Sequence, residues 1–129
     1  MYVMDASALL AMVKNEKGGA IVNALIDEHE CVASSVNIAE VSSKLLEAGV
    51  ASADLKRMIR NMNIDVVDFT QEQALASAEL RLLTKSSGLS LGDRACLTLA
   101  KLMSGTAVTS DRPWMDVAEA VGVKVLMIR

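Results

Sequence analysis

"YVMDASALLA", the stretch from Tyr2 to Ala11, joins three patterns in ten residues. The apolar run Tyr2–Met4 is typical of a short β-strand, Asp5 ends that run, and small apolar residues then begin a helix. A strand that passes directly into a helix is the building unit of a parallel α/β sheet. The carboxylate at this junction raises the question of what an acid does at the end of a buried strand.

Further short apolar runs rich in β-branched residues recur along the chain. The five predicted strands are Tyr2–Met4, Cys31–Ala33, Ile64–Val67, Ala107–Thr109 and Val123–Ile128. Helical patterns lie between them, and this alternation favours a parallel sheet with helices on both faces. The sequence therefore predicts one α/β domain over residues 1–129, a three-layer α/β/α sandwich with a mainly parallel five-stranded sheet.

Apolar residues at helical spacing predict which helix faces are buried. One such stripe consists of Leu75, Ala78 and Leu82, and it predicts the inner face of the helix after the third strand. The segment from Asp93 to Met103 is apolar on most sides, so we expect a largely buried central helix there.

The composition argues against several classes of function. Cys31 and Cys96 are isolated, and His29 is the only histidine, so neither a zinc site nor a nucleophile–histidine pair is expected. No apolar run is long enough to span a membrane and no signal-peptide pattern is present, which predicts a cytoplasmic protein. The formal charge of −3 argues mildly against a nucleic-acid partner.

Four acids fall at related places in the predicted fold. Asp5 and Asp111 end the first and fourth strands, Glu40 lies early in the helix after the second strand, and Asp93 opens the central helix. Each has an ordinary structural explanation, because Asp5 and Asp111 are suited to capping helices. Glu40 and Asp93 likewise have capping-box spacing, in "NIAE" and "SLGD".

Taken together, the four acids predict a metal site. In a parallel sheet, the strand ends and the start of the central helix meet at one edge. Two carboxylates about 4 Å apart repel by roughly 4 kcal/mol at an effective dielectric constant near 20, whereas a cap contributes only about 1 kcal/mol. A divalent cation would relieve this repulsion, and oxygen ligands without histidine or cysteine favour Mg²⁺ or Mn²⁺. Such sites commonly act on phosphates, which indicates phosphodiester hydrolysis.

A filled metal site would also reduce the objection from net charge. Without these four acids the formal charge changes from −3 to +1. Four basic residues lie close in sequence to the acidic segments and are candidates for binding a substrate phosphate: Lys14, Lys44, Arg94 and Arg112. The alternative for each is an ordinary solvated surface charge.

The segments "MDASALLA", "NIAEV", "LSLGDRACLTLA" and "VTSDRPW" together resemble the PIN domain, and in particular the VapC-type toxins of toxin–antitoxin systems. The resemblance runs from the first predicted strand to the last. It implies a metal-dependent endoribonuclease that cleaves RNA, a cognate antitoxin protein that blocks it, and a homodimer. Residue by residue, the catalytic and metal-binding acids of the family correspond to Asp5, Glu40, Asp93 and Asp111.

The same resemblance assigns supporting roles. The small hydroxyl residues of the family near the first and last acids correspond to Ser7 and Thr109, which would hold the site through hydrogen bonds. Arg94 departs from the family pattern, where a small residue is more usual, and it would either hold Asp93 or meet the substrate. Antitoxins of the family cover the groove and place a basic side chain in the acidic pocket. The helices over Ala6–Glu28 and Ser52–Asn63 would supply apolar surface for this, unless their apolar residues are simply core.

Three alternatives remain open from the sequence. A phosphoacceptor receiver domain has a similar size and strand count, and would use Asp68, Thr109 and Lys124. A haloacid-dehalogenase-type phosphatase requires a second acid where Ser7 stands. A catalytically silent PIN-like interaction module would keep the fold without the chemistry, although all four acids are present.

Overall fold

Helices and strands alternate along the whole chain in the computed structural model, which describes residues 1–129. The elements are β1 (Tyr2–Met4), α1 (Ala6–Val13), α2 (Gly19–Glu28), β2 (Cys31–Ser34), α3 (Ser35–Glu47), α4 (Ser52–Asn61), β3 (Asp65–Val67), α5 (Gln71–Thr84), α6 (Leu91–Leu102), β4 (Thr106–Thr109), α7 (Trp114–Val121) and β5 (Lys124–Met127). None of the helices is both long and apolar enough to cross a lipid bilayer.

The five strands form one sheet in the order β3-β2-β1-β4-β5, and every neighbouring pair is parallel. The predicted fold class is therefore confirmed. Because β1 is the central strand and pairs with both β2 and β4, its carboxyl end opens at the middle of one sheet edge. Asp5 follows β1 directly, so the fold itself brings this acid to the crevice where ligands of such sheets bind.

Alternate side chains of the central strands enter two separate cores. Val3 packs into a core formed mainly with α6 and α7, whereas Met4 packs into a core formed with α1 to α4. This follows from the two-residue period of a strand, which points successive side chains to opposite faces. Both side chains are fully buried, and the two cores give the three layers of the sandwich.

The prediction for the inner face of α5 was wrong. Leu75 and Leu82 are 63% and 83% exposed, and the face of α5 that packs inward carries Gln73, Ser77 and Leu80 instead. The inner face lies against α6, where a guanidinium nitrogen of Arg94 donates to the carbonyl oxygen of Ser77 at 3.0 Å. Arg94 is partly buried at this packing, and hydrophobic periodicity alone does not indicate such a contact with a backbone carbonyl.

The central helix α6 follows its prediction closely. Its side chains from Ala95 to Ala100 are all buried, as expected for a helix packed under the sheet and against α5. Ser90 caps its amino end, because the Ser90 hydroxyl accepts from the Asp93 N–H and the Asp93 carboxylate accepts from the Ser90 N–H. This capping box was predicted from the spacing, and it fixes the start of α6 at the sheet edge that β1 opens.

The correction to α5 can be tested with two neighbouring leucines. We expect Leu80→Ala to lower the free energy of unfolding by about 2–5 kcal/mol, because it leaves a cavity in a packed core. The matched change Leu82→Ala removes the same atoms from an exposed position and should alter stability by no more than about 0.5 kcal/mol. Chemical denaturation of both variants measures the difference. Equal losses in the free energy of unfolding would mean that Leu82 belongs to the core.

Candidate metal centre

Asp5 is a buried acid whose two carboxylate oxygens are both held by donors. Its side chain is 2% exposed. Oδ1 accepts from the Ala8 N–H at 2.9 Å and from the Ser7 hydroxyl at 2.7 Å, so Asp5 also caps α1. Oδ2 accepts from the Thr109 hydroxyl at 2.7 Å. These hydrogen bonds fix the end of β1 both to α1 and to the end of β4.

The two hydroxyl groups join the first and fourth strands beyond the sheet. The Thr109 hydroxyl accepts from the Asp111 N–H at 3.0 Å while it donates to Asp5. The Ser7 hydroxyl likewise accepts from the Ser110 N–H at 3.0 Å. Each hydroxyl thus supports Asp5 and the backbone leading to Asp111 at once, which is the kind of support that orients metal-binding carboxylates.

Asp111 does not cap the helix that follows it. α7 begins at Trp114, after Pro113, and the backbone carbonyl of Asp111 rather than its carboxylate accepts from the Trp114 N–H. The capping explanation for Asp111 is therefore wrong. No hydrogen bond within the chain occupies its carboxylate, which turns to Asp5 and Asp93 instead.

Three of the predicted acids converge. Carboxylate oxygens of Asp5, Asp93 and Asp111 all lie within 4.8 Å of one another. They come from the ends of β1 and β4 and from the start of α6. Residues separated by up to about a hundred positions in sequence thus meet at one sheet edge, at distances that a single cation can bridge.

Glu40 lies beside this cluster but not among the three acids. Its carboxylate rests against the backbone of Gly92, where any side chain would collide with it. Glu40 is not part of a capping box, because α3 begins at Ser35 and is capped by the Ser34 hydroxyl. Instead, the Asn37 side-chain amide donates to the Gly92 carbonyl at 3.1 Å, which ties α3 to the start of α6.

The acids carry a charge that this pocket disfavours. Burial raises the pKa of Asp5 from 3.8 to about 7, although its hydrogen bonds from Thr109, Ala8 and Ser7 act in the opposite direction. Burial and then the charge of Asp93 raise the pKa values of Glu40 and Asp111. Raised pKa values across neighbouring acids are typical of a functional site.

The donor set fits a hard divalent cation. All its ligand atoms are carboxylate oxygens, and neither histidine nor cysteine lies among them. Lys44 lowers the pKa of Glu40 and of Asp111, but no lysine or arginine acts on the buried Asp5 in this way. A cation held by Asp5, Asp93 and Asp111, with Glu40 beside it, would balance the charge, and these oxygens suit Mg²⁺ or Mn²⁺.

The basic residues named from the sequence lie in different surroundings. Lys44 is on α3 one turn after Glu40, close enough to the acids to affect the pKa of two of them. Arg94 differs from expectation: it holds the Ser77 carbonyl at the packing of α6 on α5, and it makes no ion pair with Asp93. Lys14 and Arg112 are exposed and unpaired.

Sequence reasoning missed three residues of this region. Arg129 follows β5 and lowers the pKa of Asp111 through its charge. Asn37 and Gly92 fix the place of Glu40, as described above. The importance of Gly92 could have been predicted from the sequence, since a glycine beside a helix start often marks a close approach of other atoms. That of Arg129 and Asn37 could not, because their contacts join distant parts of the chain.

A family comparison agrees with this geometry. The sequence matches the PIN domain over residues 2–120, which is nearly the whole chain. The chain belongs to the PIN domain family. No curated protein matches the sequence of this PIN domain at a significant level.

Solved structures share the fold of this PIN domain at low sequence identity. VapBC2 from Rickettsia felis, bound to a promoter DNA fragment, gives a TM-score of 0.74 at 15% identity and covers 98% of this chain and 97% of its own. A toxin–antitoxin complex from Klebsiella pneumoniae gives 0.75 at 16%, over 100% and 98%. VapC20 from Mycobacterium tuberculosis, a toxin that cleaves the sarcin–ricin loop, gives 0.72 at 12%, over 93% and 95%.

The receiver-domain alternative is wrong for this PIN domain. A receiver sheet has the strand order 2-1-3-4-5, which places its third strand beside the first. Here β3 is the edge strand and β2 separates it from β1. Asp68, the expected phosphate acceptor, therefore follows an edge strand and is exposed, away from Asp5 at the sheet centre.

The raised pKa of Asp5 predicts how stability changes with pH when no metal is bound. The folded protein keeps a proton that the unfolded chain releases above its ordinary pKa of 3.8, and it loses that proton near pH 7. In EDTA, the free energy of unfolding should therefore fall as pH rises from about 4 to 7, by up to about 1.4 kcal/mol per pH unit.

Denaturation of the wild type and of Asp5→Asn across this range measures the effect. Asparagine keeps an oxygen for the Ala8 N–H but does not titrate, so this variant should lose most of the slope. At pH 8, saturating Mg²⁺ or Mn²⁺ should restore the stability that the wild type loses in EDTA. A wild type that becomes more stable between pH 4 and 7 in EDTA would contradict the assignment.

Proposed function

We propose that this chain is an endoribonuclease that depends on Mg²⁺ or Mn²⁺, hydrolyses RNA phosphodiesters and acts in the cytoplasm as the toxin of a toxin–antitoxin pair. The observation that carries the proposal is the meeting of Asp5, Asp93 and Asp111 within 4.8 Å, in a chain of the PIN domain family. A sheet edge with clustered acids suits a substrate that brings phosphate oxygens, which complete the coordination of such cations.

The side chains have separate tasks in this proposal. When bound, a divalent cation would supply Lewis acidity towards a phosphoryl oxygen and lower the pKa of a water molecule. Asp5, Asp93 and Asp111 would hold it, and Ser7 and Thr109 keep Asp5 in a fixed orientation. The hydrogen bonds to Asp5 preorganise the site, so that little rearrangement is needed when a substrate binds.

Glu40 has the properties of a proton acceptor. Its carboxylate is half-buried, its pKa is raised by burial and by Asp93, and it stands beside the acids that would hold the cation. A base with a pKa nearer to neutrality than that of a free glutamate is well matched to general-base catalysis. Glu40 would therefore take the proton from the attacking water, and Lys44, one turn along α3, would bind the phosphate.

Asp93→Asn provides the decisive test of this function. Asparagine keeps an oxygen that can accept from the Ser90 N–H, so α6 should stay capped and the protein folded. We expect the variant to lose the rise in melting temperature on adding Mg²⁺ or Mn²⁺, and to lose metal-dependent RNA cleavage by about a hundredfold or more.

Asp116→Asn is the matched control for this test. Asp116 lies exposed on α7 and has no contact with the cluster, so this variant should retain the metal response and the nuclease activity. Calorimetry and cleavage of total cellular RNA measure the two properties. A wild type that binds the metal without cleaving RNA would instead favour a catalytically silent interaction module.

A groove lined by residues of α1, α2 and α4 is suited to an antitoxin segment. It has a volume of about 490 Å³ and lies between the α1–α2 pair and α4, with an apolar floor and groups of both charges at its rim. Met12, Ile26 and Met58 contribute to the floor, and Asp27 and Asp54 to the rim. An amphipathic helix with its apolar face on this floor would match the surface. Solved relatives in the same fold include VapBC toxin–antitoxin complexes, which supports an antitoxin as partner.

A second copy of the chain is the other partner that we propose. The outer part of α5 carries three exposed leucines, Leu75, Leu82 and Leu83. Exposed apolar side chains grouped in this way are typical of a protein interface. They supply the apolar surface that a homodimer of this domain would bury.

The antitoxin groove can be tested with two methionines. Met58→Asp places a charge on the groove floor, whereas Met115→Asp places the same charge on the exposed face of α7. We expect the proposed antitoxin, sought in the neighbouring reading frame and co-expressed, to co-purify with the wild type and the Met115 variant but not with the Met58 variant. Equal co-purification of both variants, each shown to be folded by circular dichroism, would place the partner elsewhere.

A further inference from the structure

The end of β5 brings a positively charged side chain, Arg129, close to the acid cluster. No sequence pattern indicates this placement. Met127 pairs with Thr109 in the sheet, and the Ile128 N–H then donates to the Thr109 carbonyl at 3.0 Å. Thr109 is the residue whose hydroxyl holds Asp5. The backbone of Arg129, the next residue after Ile128, is therefore positioned at the same edge as the acids.

The α1–α2 turn packs directly on this segment. Gly18 has a φ of +90°, and a Cβ atom at its position would collide with the carbonyl oxygen of Ile128. Glu16 lies in the same turn, whose start is fixed by the Glu16 N–H donating to the Ala11 carbonyl at 2.8 Å. Only a glycine allows both the backbone angle and the close approach. The turn thus holds Glu16 next to Arg129.

Arg129 is bound only loosely within the protein. Its guanidinium lies 3.8 Å from the Glu16 carboxylate, and the two side chains are 35% and 46% exposed. An ion pair of this length and exposure contributes little to stability and can be exchanged for another anion. A phosphate is a suitable replacement, because its oxygens accept two parallel hydrogen bonds from a guanidinium.

Arg129 and Lys44 lie on opposite sides of the acids. Lys44 is on α3, which follows β2, whereas Arg129 follows β5. In the sheet order, β2 and β5 flank the pair β1–β4 that carries Asp5 and Asp111. A polyanion that crosses the acid cluster along this edge would meet one cation before the acids and another after them.

We propose that Arg129 binds a backbone phosphate of the RNA next to the one that is cleaved, on the β5 side of the acid cluster, and that Glu16 competes with this phosphate for the guanidinium. The inference rests on the proposed nuclease function and extends it to a second phosphate site. Glu16 thereby lowers the affinity for RNA, because its carboxylate must be displaced before the phosphate binds.

Two variants of the ion pair separate this role from a structural one. Arg129→Gln and Glu16→Gln each break the same ion pair. If the pair has only a structural role, both variants should therefore change the affinity for RNA in the same direction. Phosphate binding by Arg129 predicts opposite signs: Arg129→Gln weakens RNA binding by about fivefold to tenfold at low salt, and Glu16→Gln strengthens it. The plot of the logarithm of the association constant against the logarithm of the salt concentration has a negative slope, and its magnitude should decrease by about 0.7 for Arg129→Gln.

Fluorescence anisotropy with a labelled 20-nucleotide single-stranded RNA of mixed sequence, in Ca²⁺ and a series of KCl concentrations, measures these changes. Arg57→Gln is the matched control, since it breaks the exposed pair of Arg57 with Asp54 on α4 and should leave the slope unchanged. Weaker binding by both pair variants, or no effect of Arg129→Gln, overturns the role of Arg129 while wild-type cleavage persists. A wild type that neither binds nor cleaves RNA overturns the proposed function and this inference together.

Discussion

The buried carboxylate of Asp5 is the constraint to which the rest of the site is adjusted. Burial opposes its charge strongly enough to raise its pKa to about 7, even though three donors hold its two oxygens. These donors come from α1 and β4, so that the same contacts that support the acid also fix the ends of the central strands. The position is unfavourable for an isolated anion and suitable for one that shares a cation.

Much of the fold follows from the sequence because parallel sheets leave few choices. Five short apolar runs separated by helical patterns allow a parallel sheet with all carboxyl ends at one edge. The inner face of α5 did not follow, since periodicity identified Leu75 and Leu82 as a stripe but could not indicate that the stripe is exposed. The inner face carries Gln73 and Ser77, and the backbone carbonyl of Ser77 accepts from the partly buried Arg94.

The site was predictable to the extent that topology determines it. Asp5 and Asp111 end neighbouring strands, so the sheet order alone brings them together. Glu40 illustrates the limit: its place beside the acids depends on the absence of a side chain at Gly92, a contact between α3 and α6. Arg129 illustrates it further, because one hydrogen bond at the end of β5 fixes its position and leaves no pattern in the sequence.

The long separation in sequence between the two halves of the site has a consequence for biosynthesis. The hydroxyl of Thr109 holds Asp5 across 104 positions of the chain. Because translation is directional, Asp5 is made about a hundred residues before β4. An incomplete nascent chain on the ribosome therefore has neither the support for Asp5 nor Asp111 beside it. Premature termination upstream of β4 would release fragments that lack the assembled centre.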